Sequence, residues 1–306
     1  MTRRVVRGEP AEIVVDLEQW MAEHPGVPVD TARERLYTAR ELYDTDEYVA
    51  SLDARAYAWS RAPRTQEAAL ARALHDHAVD LALTTWTAGR HLVGVMGGHQ
   101  LERGQPAYAE AARLGAALGG DHVVATGGGP GAMEAANLGA RFAGRPADLT
   151  EALALLAGTP SYHPSVDAWV HRAFDVLELL PGGSDTLGIP TWHYGHEPPN
   201  VFATAIAKYF RNSTREATLL EVCDAGIVFL PGLGGTVQEI FQDACENYYA
   251  DEAAVAPMVL VGATYWTDDL PAWPLLRSVA RGRPMERHVH VVDSVEEAVN
   301  LIVSGT

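Results

Sequence analysis

The rhythm of hydrophobic and polar positions divides this chain in two. Over residues 31–52 and 65–86 apolar residues recur at helical spacing. In the second stretch Ala69, Leu70, Ala73, Leu74, His77 and Leu81 share one face, and Pro63 precedes the expected start. Together they predict a helical N-terminal extension over residues 1–88. From His91 onward short apolar runs alternate with helical patterns. Strands are expected at 92–96, 122–125, 186–192, 225–230, 258–261 and 289–292. Helices are expected at 108–118, 132–142, 201–210, 213–222, 236–248 and 295–302, with a helical insertion over 144–174. Strands alternating with helices predict an α/β domain over residues 89–306, a doubly wound parallel sheet whose ligands sit at the carboxyl ends of the strands.

Two glycine-rich turns occupy such places. Thr126-Gly127-Gly128-Gly129-Pro130-Gly131-Ala132-Met133-Glu134 follows one expected strand. Pro231-Gly232-Leu233-Gly234-Gly235-Thr236-Val237-Gln238-Glu239 follows another. A strand, a glycine turn and a helix N-terminus form an anion site, because the backbone comes close and the first N–H groups point at the ligand. The expected phosphate or nucleotide contacts are Gly128, Gly129, Gly131, Met133 and Glu134 in the first turn. In the second they are Gly232, Gly234, Gly235 and Thr236. Neither turn is a Walker loop or the usual dinucleotide fingerprint. Thr236 and Glu239 carry two readings of equal weight. One is a capping box; the other places a carboxylate one turn above a bound phosphate.

Composition narrows the partners. The chain has 306 residues, 47% hydrophobic and 21% charged, with a formal net charge of −17 and a pI near 5.0. Such a charge opposes nucleic-acid polymers and anionic membranes, while leaving room for one small anionic ligand. Two cysteines, Cys223 and Cys245, make no disulfide framework, and a soluble cytoplasmic protein is expected. The segment 192–200 is dense in stacking and hydrogen-bonding side chains. It reads either as a base or sugar pocket, with Gly97, His196, Glu197 and Asn200 as its residues, or as a rigid proline-bounded loop. His193 and His196 lack metal-ligand spacing, so neither metal nor cofactor is expected. Arg215 stands near a helix N-terminus, against the dipole, which calls for an anionic neighbour.

The run Gly127 to Asn137 resembles the first signature of the Lonely Guy (LOG) family, and Pro231 to Glu239 its second. The segment ending Glu197-Pro198-Pro199-Asn200 is similar to longer bacterial members, the nucleotide 5′-monophosphate nucleosidases. The resemblance covers about residues 90–306. It implies a Rossmann-like fold and a homo-oligomer. It implies hydrolysis of the N-glycosidic bond of a nucleoside 5′-monophosphate to free base and ribose 5-phosphate, with Arg215 and Glu239 as the catalytic pair. The chemistry is coherent, since a carboxylate near C1′ stabilises an oxocarbenium-like transition state or deprotonates water. The chain departs from the family pattern at Leu233, Gln238 and Glu216, the last in place of a lysine. The expected function is therefore this phosphoribohydrolase; its alternative is a non-catalytic carrier of a nucleotide or of a phosphorylated cofactor such as a molybdopterin. The label "lysine decarboxylase", common for this fold, has no support: Lys208 is the only lysine and nothing marks a pyridoxal-phosphate site.

Overall fold

The structure, a computed structural model, describes residues 26–63, 65–193 and 197–304. Residues 1–25 of the expected extension lie outside them, as does His196. Seven strands form one sheet: β1 (Leu92–Met96), β2 (Val123–Thr126), β3 (Thr186–Gly188), β4 (Ala205–Ile206), β5 (Ile227–Phe229), β6 (Met258–Val261) and β7 (Val289–Val292). Their order is β4-β3-β2-β1-β5-β6-β7 and every pairing is parallel. This is the doubly wound, Rossmann-like α/β architecture the alternation predicts. The chain runs outward from β1 on one side, then returns to lay β5 on the other. The crevice between β1 and β5 is thus the switch point where such folds bind ligands.

The helices are α1 (Leu52–Arg61), α2 (Gln66–Thr87), α3 (Pro106–Leu118), α4 (Ala132–Arg141), α5 (Pro146–Leu156), α6 (Val166–Leu179), α7 (Asn212–Glu221), α8 (Gly234–Tyr249), α9 (Ala272–Ala280) and α10 (Val295–Ser304). The helical segment expected over 144–174 is the pair α5 and α6. Helices α3 and α4 meet backbone to backbone. A Cβ on Gly139 would lie 1.7 Å from the Ala112 carbonyl oxygen, and one on Gly115 2.1 Å from that of Ala136. This close packing fixes α4, and with it the turn at its start.

Three sequence expectations need correction. Residues 201–210 are not helical: they form a turn at 201–202, then β4 paired with β3 and irregular chain after it, buried throughout except at the half-buried Thr204. A continuous buried apolar run is what a parallel strand requires, and pairing overrides the helix preference of its alanines. Residues 31–52 hold only one helical turn at Ala39–Leu42 and a 3-10 turn at Tyr48–Ala50. Polar side chains break the pattern there: Asp30 accepts from the Ala32 N–H and Asp44 from the Leu52 N–H. The strand expected at 186–192 stops at Gly188, and Pro190 has no N–H to continue it.

The N-terminal segment covers the β4 edge. Tyr37 and Ile206 exchange two backbone hydrogen bonds, of 2.9 and 2.8 Å. Below them Lys208 is buried and pairs with Asp53 at 2.5 Å; the same carboxylate accepts from Trp192 Nε1 and from the Tyr48 hydroxyl. Burial pushes the Lys208 ammonium down, so its charge depends on that partner. Asp53→Ala leaves a buried cation unpaired and should cost about 3–5 kcal/mol. Chemical unfolding of the variant beside wild type measures that loss.

Candidate functional site

The first glycine turn is built by a buried polar network. Gly128 and Gly131 have φ of +71° and +73°, a region side chains avoid. The Thr126 hydroxyl accepts from the Gly128 N–H and donates to Asn137 Oδ1 at 2.7 Å. Asn137 Nδ2 donates to the Leu187 carbonyl, tying α4 to β3. Asn200 donates through Nδ2 to the Gly129 carbonyl and to Asn137 Oδ1, and its Oδ1 accepts from the Phe202 and Ala203 N–H groups. The pocket role expected for Asn200 therefore gives way to a clamp on the turn: the side chain is fully buried and used at both ends. Glu134 is likewise committed, forking onto Arg103 Nε and Nη2 in a buried ion pair. The Met133 thioether lies beneath Gly127 and Gly129, where a Cβ on either would strike it within 3 Å.

The second turn meets the first through the loop after β1. The Gly98 N–H donates to the Pro231 carbonyl and the Gly98 carbonyl accepts from Ala132 N–H, both at 3.1 Å. Gly97 is a spacer: a Cβ there would lie 2.9 Å from that of Ala132 and 3.0 Å from that of Leu230. Leu233 is the N-cap of α8 with φ of −109°, so its side chain suffers no strain in the place of a family glycine. No side chain caps this helix, and the capping box expected of Thr236 and Glu239 does not form. Its cause is register: the helix begins at Gly234, so Thr236 lies inside the first turn. The N–H groups of Gly234, Gly235 and Thr236 consequently have no intrahelical acceptor.

Arg215 and Glu239 come together beside the first turn. Arg215 Nε donates to the Ile189 carbonyl at 2.7 Å and Nη2 to the Gly127 carbonyl at 3.4 Å. Its Nη1 is 2.6 Å from Glu216 Oε2 but 3.8 Å from Glu239 Oε1. The anionic neighbour that the helix dipole calls for is thus the adjacent Glu216. Burial pushes the Glu239 carboxyl from 4.5 up to about 8; Arg215 opposes the shift, while Glu216 and Glu197 add to it. Asp243, one turn along α8, is raised to about 8 by burial. Glu197 lies against the first turn, where a Cβ on Gly129 would be 3.3 Å from its Oε2, with Oε1 3.4 Å from His99 Nδ1. Among the described residues no group of three or more His, Cys, Asp or Glu is arranged to hold a metal ion. His196 cannot be placed, lying outside the described residues.

Sequence reading overlooked His99, Asn137 and Asp243. His99 carried a signal: it directly follows Gly97-Gly98 at a strand's carboxyl end. Asn137 and Asp243 carried none without the tertiary packing that buries them.

No protein-family model and no curated protein matches the chain. Among solved structures it is similar to the molybdenum cofactor binding protein from the phototrophic bacterium Rippkaea orientalis. Identity is 20% and the TM-score 0.43, over 70% of this chain and 96% of that one. It is also similar to the Moco carrier protein from Chlamydomonas reinhardtii, at 20% identity and a TM-score of 0.43, over 71% of this chain and 99% of that one. The likeness is one of fold. No described helix is long and apolar enough to cross a membrane.

The raised carboxyls make stability fall as pH rises. Between about 4.5 and 8 folded Glu239 keeps its proton while the unfolded chain releases it, so the folded state binds more protons and alkali favours unfolding. Asp243 acts in the same direction. Urea midpoints should drop from pH 6 to pH 9, and Glu239→Gln should flatten part of that drop.

Proposed function

We propose that the crevice binds a small phosphorylated molecule, a nucleoside 5′-monophosphate or a phosphorylated cofactor such as a molybdopterin, and holds it without cleaving it. The carrying observation is at Gly234 and Gly235. A Cβ on either would meet nothing within 4 Å, and neither has a positive φ. The fold itself therefore asks for no glycine there, and glycine weakens a helix relative to alanine. Close approach of a ligand to the open N–H groups of α8 accounts for both residues.

The state of the family's catalytic pair supports holding over cleavage. Arg215 is spent on two carbonyls and on Glu216. Glu239, raised to about 8, is mostly protonated at neutral pH and so offers little negative charge to an oxocarbenium-like transition state there. A second reading, the phosphoribohydrolase, is favoured by one observation: Arg215 and Glu239 do meet in this crevice. We place the protein in the cytoplasm, in keeping with its unpaired Cys223 and Cys245. We take it to be a homo-oligomer on the sequence resemblance; a solution mass of one chain would contradict that.

Calorimetric titration of AMP, GMP, CMP, UMP and IMP, with chromatography of the same mixtures, tests the reading. Saturable binding of at least one nucleotide without free base is expected; release of base restores the hydrolase. Gly235→Ala should unfold at the same urea concentration as wild type or a higher one, yet bind the nucleotide about tenfold more weakly or worse, a loss of about 1.4 kcal/mol.

A further inference from the structure

The loop between α5 and α6, residues 157–165, does more than join the inserted helices. Arg103 pins it to the loop after β1. Its backbone N–H donates to the Pro160 carbonyl, and its Nη1 donates to the carbonyls of Thr159 and Trp169. So held, the loop closes over the N-terminus of α4 and leaves a cavity of about 370 Å³ against the first glycine turn. That volume lies within the range of small-ligand sites. Its walls include His99, Pro130, Gly131, Tyr162, His163 and Trp169. The Tyr162 and His163 rings lie 4.4 Å apart, tilted by 38°, and Tyr162 is half-buried.

The charges of this cavity select the part of a ligand it takes. Glu134 at its floor is neutralised by Arg103, whose donors face that carboxylate and the two carbonyls. No lysine or arginine lines the cavity, and the exposed Glu102 adds a second carboxylate to it, so its charges oppose a phosphate. Glu197 stands at the rim, behind the lining His99 at 3.4 Å, and close enough that its charge adds to burial in raising the Tyr162 hydroxyl. An aromatic face beside an acceptor-only carboxylate fits a planar ring with N–H donors on its edge. The cavity and the start of α8 flank the same loop: Gly98, next to the lining His99, bonds the Pro231 carbonyl on one side and the Ala132 N–H on the other.

We propose that this cavity holds the planar nitrogen heterocycle of the ligand, with Tyr162 as the stacking face and Glu197 as acceptor for the ring's N–H edge. The proposal rests on the phosphorylated-ligand reading above and adds a specificity determinant supplied by the insertion.

Titrations of AMP, GMP and ribose 5-phosphate into the full-length protein test it. The tighter of the two nucleotides should bind wild type at least tenfold better than ribose 5-phosphate. Tyr162→Ala should weaken that nucleotide about tenfold or more, the scale of one stacked base, while leaving ribose 5-phosphate unchanged; Tyr162→Phe should restore it. Glu197→Gln should weaken the nucleotide but not ribose 5-phosphate, because the amide puts a donor where the carboxylate accepts. Equal loss for both ligands would show that the loop is only structural and overturn the proposal. So would a nucleotide no tighter than ribose 5-phosphate, with the phosphate reading left standing. Failure of all three ligands to bind wild type would overturn this proposal together with the purine-nucleotide form of the reading above.

Discussion

Gly98 is the pivot of the molecule. Its N–H bonds the turn after β5 and its carbonyl bonds the turn after β2, so three strand ends are laced through one residue. Adjacent Gly97 leaves no space for a side chain between those turns. The sheet order supplies the reason for the convergence. β1 lies between β2 and β5, and the three loops leave the same carboxyl edge. Backbone packing of α3 on α4 holds one bank of the crevice, and the Asn137 and Asn200 network stiffens it. The helix ends open onto the crevice as a consequence of this framework.

The electrostatics of the crevice separate binding from turnover. A net charge of −17 already works against an anionic ligand, and Glu197, Glu216 and Glu239 stand inside the site. Arg215 balances Glu216 rather than standing ready for a phosphate. Burial answers part of the problem by keeping Glu239 protonated, which removes one negative charge near neutral pH. What remains for a phosphate is the array of N–H groups at the start of α8, which carry favourable dipoles and need no mobile counter-charge.

Much of this was legible in the sequence. Alternation of strand and helix gave the parallel sheet, and the two glycine turns marked β2 and β5, the strands on either side of β1. Arg215 and Glu239 were found through motif position, and they do meet. Legibility failed where tertiary partners decide the outcome. β4 is alanine-bearing and reads as helix until β3 pairs with it. Asn200 reads as a pocket residue until its amide is seen to hold Gly129 and Asn137. The capping box fails because α8 starts at Gly234, a boundary that glycine content alone does not announce. The insertion reads as helical from its pattern, but the cavity it roofs depends on Arg103, whose partners lie 31 and more residues along the chain.

The central claim is that backbone N–H groups, not Arg215, receive the phosphate. A crystal structure of the protein with ribose 5-phosphate tests it most directly. The account predicts phosphate oxygens within hydrogen-bond distance of the N–H groups of Gly235 and Thr236, with Arg215 still on the Ile189 and Gly127 carbonyls. Phosphate seated on the Arg215 guanidinium, with Glu216 displaced, would contradict it.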